Sequence, residues 1–188
     1  MHVDAAPGIG WGVLRRNLSS GKNAGVENNL VEFAWLKAHP VAAARPAHHG
    51  HAWQPTATVD VLLPEGAPSE LLDVRRLAER YEADAFVGIK DLAVLATFKI
   101  DKPGQILNMW ADVRAFARFF FCEERNMAVA AFLHVPSRSG VKRAAHIHLV
   151  APARELDCEG FGAFCRPFVS DAGASVMVKA WSVWKRPA

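Results

Sequence analysis

Apolar residues along the second half of the chain change their spacing several times, and each change marks an element. Residues 105–125, QILNMWADVRAFARFFFCEER, repeat apolar positions at helical spacing: Ile106, Met109, Trp110, Val113, Phe116, Phe119 and Phe120. That stripe predicts a long amphipathic helix. DLAVLATFKI at 91–100 and MAVAAFLHV at 127–135 are short, nearly continuous apolar runs and predict strands, as does AAHIHLVA at 144–151. Between the last two lies PSRSGVKR, 136–143, a polar loop containing Gly140.

The first half is less regular. Residues 1–28 are rich in Gly, Ser and Asn and predict loose order. Residues 29–38 fit a short helix or a strand, closed by Pro40, and 40–55 reads as loop. TATVDVLL, 56–63, alternates and predicts a strand. Ser69 is placed to cap a helix over 70–83 with Leu71, Val74, Leu77 and Tyr81 near helical spacing. In the tail, a helix near 158–169 and a final strand at 174–184 are expected. Cys158 and Cys165 would then share one side of that helix as small core residues. These elements add up to an α+β fold: a largely antiparallel sheet with helices packed on one face.

A chain of 188 residues suffices for one domain with a real core, so residues 1–188 are expected to form a single domain. No apolar run is long enough for a membrane span, which excludes a helical membrane protein. The N-terminus has no charged-then-apolar layout, and three cysteines without a CxxC pair fit reduced thiols. Both point to a cytoplasmic location. Net charge is +3, but from Arg125 to Arg154 there are five basic residues and no Asp or Glu. Arg138, Lys142 and Arg143 of that stretch fall in the 136–143 loop, which suits either a solvated hairpin tip or, if the chain binds DNA, contact with a phosphate backbone.

Strand alternation puts His146 and His148 on one face of their strand and Ile147 and Leu149 on the other. A hairpin turning near Gly140 sets His134 opposite His146, with His148 as its diagonal neighbour about 7–8 Å away. Three imidazoles thus gather on one sheet face, a set that holds a catalytic metal with positions left open. The opposite face carries aliphatics for the 105–125 helix. A second group, His48, His49 and His51 in AHHGHAW, sits in predicted loop; it has the residue types of a metal site, but with no strand or helix to hold the side chains a solvated loop is the favoured reading.

The order of features from Asp91 to Arg154 resembles the C-terminal part of the MobA/MobL-type relaxases of the HUH nuclease superfamily: a strand, a long helix, VAAFLHVPSRSG ending a strand in His134, then HIHLVAPAR. About a third of the chain is covered. The resemblance implies that His146 and His148 are the HUH pair and His134 the third ligand of a divalent metal, Mn or Mg, with Zn also admissible. It implies single-stranded DNA as partner, and nicking by transesterification in plasmid mobilisation, with a tyrosine hydroxyl attacking the phosphate.

The chain departs from that family in its N-terminal part. The family carries its nucleophile on an early helix behind an opening strand, and no such strand is read here. Tyr81 is the single tyrosine, so it is the one candidate for catalysis by a tyrosine hydroxyl. Its helical spacing with Leu77 and Val74 instead predicts a packed side chain away from the metal. Two other readings follow from the same residues. One is a DNA- and metal-binding relative without a nucleophile. The other is a histidine-triad nucleotide hydrolase, disfavoured because Ala144 stands where a third alternating histidine is needed.

Overall fold

The computed structural model of the chain describes residues 2–17, 25, 27–40, 53–166, 168–170 and 172–185. His48, His49 and His51 fall outside these. Six strands form one antiparallel sheet: β1 (His2–Ala6), β2 (Ile9–Arg15), β3 (Thr58–Leu62), β4 (Asp91–Ile100), β5 (Val129–His134) and β6 (Ala145–Pro152). Their order across the sheet is β1-β2-β4-β6-β5-β3, so β4, β6 and β5 lie inside it. The fold is α+β, as the patterning predicts.

The helices divide between two faces instead of sharing one. On one face, α3 (Ile106–Ala117) and α4 (Gly173–Trp184) cover the even positions of β4 and the odd positions of β5 and β6. Phe98, Phe116, Phe120, Ile147, Met177 and Trp181 meet there. On the other face, α1 (Leu30–Ala38) and α2 (Val74–Ala83) pack Leu30, Ala34, Leu77 and Tyr81 against Ala93, Ala130, Phe132 and Val150. The inner strands are apolar on both sides, and each side needs a cover.

Local chemistry explains the boundaries. Asn29 caps α1, accepting from the backbone N–H of Val31 at 2.8 Å. The expected helix from Ser69 is a short tight turn over Ser69–Leu72, and α2 starts only at Val74. Asp73 is extended and its carboxylate accepts from the Arg76 N–H at 2.9 Å, so it takes the capping role assigned to Ser69. After α3 the helix widens into a π turn over Arg118–Glu123, which carries Phe120, Phe121 and Cys122 into the core.

Three further expectations fail. Residues 2–6 and 9–15 are not loose but form the β1–β2 hairpin, two strands that the sequence pattern does not reveal. Trp11 anchors it: the indole is fully buried and donates to the Ser170 carbonyl at 3.1 Å. The helix expected near 158–169 is replaced by β7 (Arg154–Leu156) and β8 (Phe161–Phe164), paired across a turn at Gly160. Gly160 has φ +133°, which a helix cannot accommodate. Cys158 is accordingly exposed, not a core residue, and all three cysteines are free. Finally, 174–184 is helix and not strand. Its β-branched residues mimic a strand, but Gly173, Met177 and Trp181 are the buried set, at i, i+4 and i+8.

Candidate metal centre

The β5–β6 pairing follows the register that alternation predicts. His134 lies directly opposite His146, and Phe132 opposite His148. Ring centroids are 5.1 Å apart for His134–His146, 4.9 Å for His134–His148 and 4.8 Å for His146–His148. One ring nitrogen from each lies within 4.8 Å of the others, a spacing that admits a shared metal ion. Ile147 and Leu149 point the other way, into the core under α3.

Each imidazole also has a neighbour that orients it, as metal-ligating histidines do. His134 Nε2 donates to the Lys37 carbonyl at 2.6 Å. That oxygen belongs to the last turn of α1, whose carbonyls have no partner inside the helix. A carbonyl only accepts, so Nε2 carries the proton and Nδ1 keeps the lone pair. His146 has the reverse arrangement, Nδ1 lying 3.0 Å from the Ala144 carbonyl, which leaves Nε2 as the lone-pair nitrogen. Nδ1 of His148 lies 2.9 Å from the hydroxyl of Thr97, its partner on β4. Lys37 also sends its side chain to the cluster, with Nζ 3.4 Å from His148 Nε2.

Burial pushes the His134 imidazole down to about 4, against the raising effect of its bond to Lys37, so this ring is neutral at ordinary pH and suited to ligation. The Lys37 ammonium is lowered by burial as well. The residues present therefore fit a divalent metal: three imidazoles, two with tautomers fixed by carbonyls, and no carboxylate among the grouped donors.

Beside the histidines a cavity of about 450 Å3 opens between the start of β3 and the β5–β6 loop. His134 and His146 form part of its wall, with Thr58, Val141, Arg138 and Arg143. Arg138, Lys142 and Arg143 are exposed and, among the described residues, make no ion pair. The rest of the basic stretch is elsewhere. Arg125 lies over the Phe120 ring, 3.8 Å from its centroid. Arg154 is buried and donates to the carbonyls of Asp84 at 2.8 Å and Gly162 at 2.6 Å.

Tyr81 does not enter the site. It is fully buried, edge-on to Phe161, and its hydroxyl donates to the Asp91 carbonyl at 3.2 Å. Burial raises its phenol well above the ordinary range. Asp91 begins β4 and Thr97 is six positions along it, a rise of about 20 Å. A catalytic role for Tyr81 does not fit this packing. Sequence reasoning missed Thr97 and Lys37. Thr97 is a polar residue inside a buried strand, on the histidine side of it, which is a usable signal. Lys37 is 111 positions from His148 and has none.

No family model and no curated protein matches this sequence. Among solved structures the fold is similar to one described as "Molecular Basis of Vancomycin Resistance Transfer in Staphylococcus aureus", with a TM-score of 0.53 and 18% sequence identity. The match covers 68% of this chain, which spans 66% of the length of that one. At that identity the likeness is one of fold, to a protein of resistance transfer.

Proposed function

We propose that this chain binds single-stranded DNA at a divalent metal held by His134, His146 and His148, and that it acts in plasmid mobilisation as a divergent relative of the MobA/MobL-type relaxases. One observation carries the reading: the three rings converge on one sheet face, and two of them, His134 and His146, line a cavity that Arg138 and Arg143 also line. The fold likeness to a resistance-transfer protein supports it.

A divalent metal, Mn or Mg with Zn also admissible, would supply Lewis-acid polarisation of a phosphodiester oxygen. The chain's own groups do the rest. Thr97, the Lys37 carbonyl and the Ala144 carbonyl fix the imidazoles before any ligand arrives, so little ordering is left for binding. Arg138, Lys142 and Arg143, which make no ion pair among the described residues, offer positive charge to backbone phosphates.

The burial of Tyr81 favours a second form of the same reading, in which this chain binds metal and DNA without tyrosine transesterification. One experiment tests both: incubation with single-stranded DNA and Mn2+, followed by native and denaturing gels. The expected result is metal-dependent retention of DNA with no adduct through Tyr81. DNA retention indifferent to metal and to His146→Ala would overturn the proposal. A covalent adduct abolished by Tyr81→Phe would overturn the second form and make the chain a tyrosine nuclease.

A further inference from the structure

Lys37 touches the histidine cluster twice, once through its backbone and once through its side chain. Its carbonyl orients His134, while its side chain lies 3.4 Å from His148 Nε2 and 5.3 Å from the centre of the Phe33 ring. Nδ1 of the same imidazole faces the Thr97 hydroxyl, so Nε2 is the nitrogen turned to the lysine. An ammonium has three donors and no lone pair. At this distance it competes for the electron pair that a metal would need. Among the described residues no carboxylate pairs with Lys37. An uncompensated cation is thus held at the edge of a site suited to a second, doubly charged one.

We propose that Lys37 couples metal binding to phosphate binding: its ammonium opposes a divalent ion entering alone and favours one that enters with an anionic phosphodiester. This rests on the metal reading given above. Two like charges a few ångströms apart repel strongly inside a partly buried site. A phosphate oxygen between them attracts both. Lys37 then leaves His148 for the phosphate, and Nε2 is released to the metal. Coupling of this kind is reciprocal, so DNA tightens metal binding by the same factor that metal tightens DNA binding.

The test is calorimetric titration of the full chain with Mn2+, with and without a short single-stranded oligonucleotide, for the wild type, Lys37→Met and Lys37→Arg. In the wild type the oligonucleotide should raise Mn2+ affinity by a factor within the usual span for coupled sites, about 5- to 150-fold. Lys37→Met should bind Mn2+ alone more tightly and lose most of that enhancement. Lys37→Arg, which keeps the charge, should retain it and guards against a mere folding defect. Mn2+ affinity unchanged in Lys37→Met would overturn the coupling and leave the metal site standing. Weaker affinity would make Lys37 a fourth ligand, which also overturns it. Absence of Mn2+ binding in the wild type would overturn the metal reading itself, and the coupling with it.

Discussion

His134 and His146 are opposed residues across β5 and β6, and their rings meet edge to face at 5.1 Å. Neither position depends on a loop, because both residues lie within paired strands. His146→Ala should therefore remove a ligand without moving the other two. The loss in Mn2+ affinity should exceed the roughly 10- to 100-fold that removal of an orienting neighbour costs. Calorimetry on the two chains checks it, and equal affinities would refute the site.

Thr97→Val keeps the shape of a buried side chain and deletes the hydroxyl beside His148 Nδ1. Metal affinity should fall by about tenfold with the fold retained. Circular dichroism and metal titration on the same sample separate the two effects. A fall in stability with no change in affinity would make Thr97 a packing residue.

Lys142→Glu with Arg143→Glu reverses two exposed charges on the β5–β6 loop that make no ion pair among the described residues. Single-stranded DNA affinity should drop, and the slope of log affinity against log salt should flatten by about 0.7 for each phosphate that the loop no longer neutralises. Fluorescence anisotropy over a salt series measures both. An unchanged slope would remove the loop from the interface.

Tyr81 is the chain's one tyrosine, so its ionisation can be followed by absorbance without overlap from another. Burial raises its folded value, so the folded chain should show no tyrosinate near the ordinary value of about 10. The unfolded chain releases that proton near 10 and the folded chain holds it. Stability from this group is complete below about 10 and is lost as pH rises further. Tyr81→Phe should remove this dependence, cost about 1 kcal/mol in denaturant unfolding, and leave metal and DNA binding untouched. A normal phenol titration in the folded protein would show that Tyr81 is open to solvent.

Gly173 starts α4 where a side chain has no room. A Cβ there would meet the Phe168 carbonyl and come within 2.8 Å of the Trp11 ring. Gly173→Ala should destabilise the protein by about 1–3 kcal/mol, the usual cost of overpacking. Thermal unfolding checks it, and an unchanged midpoint would mean that α4 shifts freely against β2.

The site was readable where local rules act alone. Period-two alternation and one turn glycine are enough to bring His134 to His146, because an antiparallel pair has a single degree of freedom, its register. The same rules failed where packing across the chain decides. Gly8 in the turn and Gly10 and Gly12 in β2 read as loop, and it is the burial of Trp11 beneath Phe168 that holds the segment as a hairpin. In 174–184 the β-branched residues argue for a strand, yet the aromatic face of Trp181 against Phe98 and Phe116 selects the helix. Lys37 reaches the histidines only because α1 docks on the sheet, a fact of topology that no local pattern encodes.

Ile147 stands between His146 and His148 with its side chain in the opposite direction, fully enclosed by the aromatic layer under α3. The spacing of the two imidazoles is consequently held from behind, by a surface that no ligand touches. Rigid donors discriminate among ions by size and coordination preference, whereas pliant donors accept whichever ion is abundant. Any choice among ions at the proposed site would then be a mechanical property of the far side of the sheet. Trimming Ile147 or Phe116 would broaden it while leaving every ligand in place.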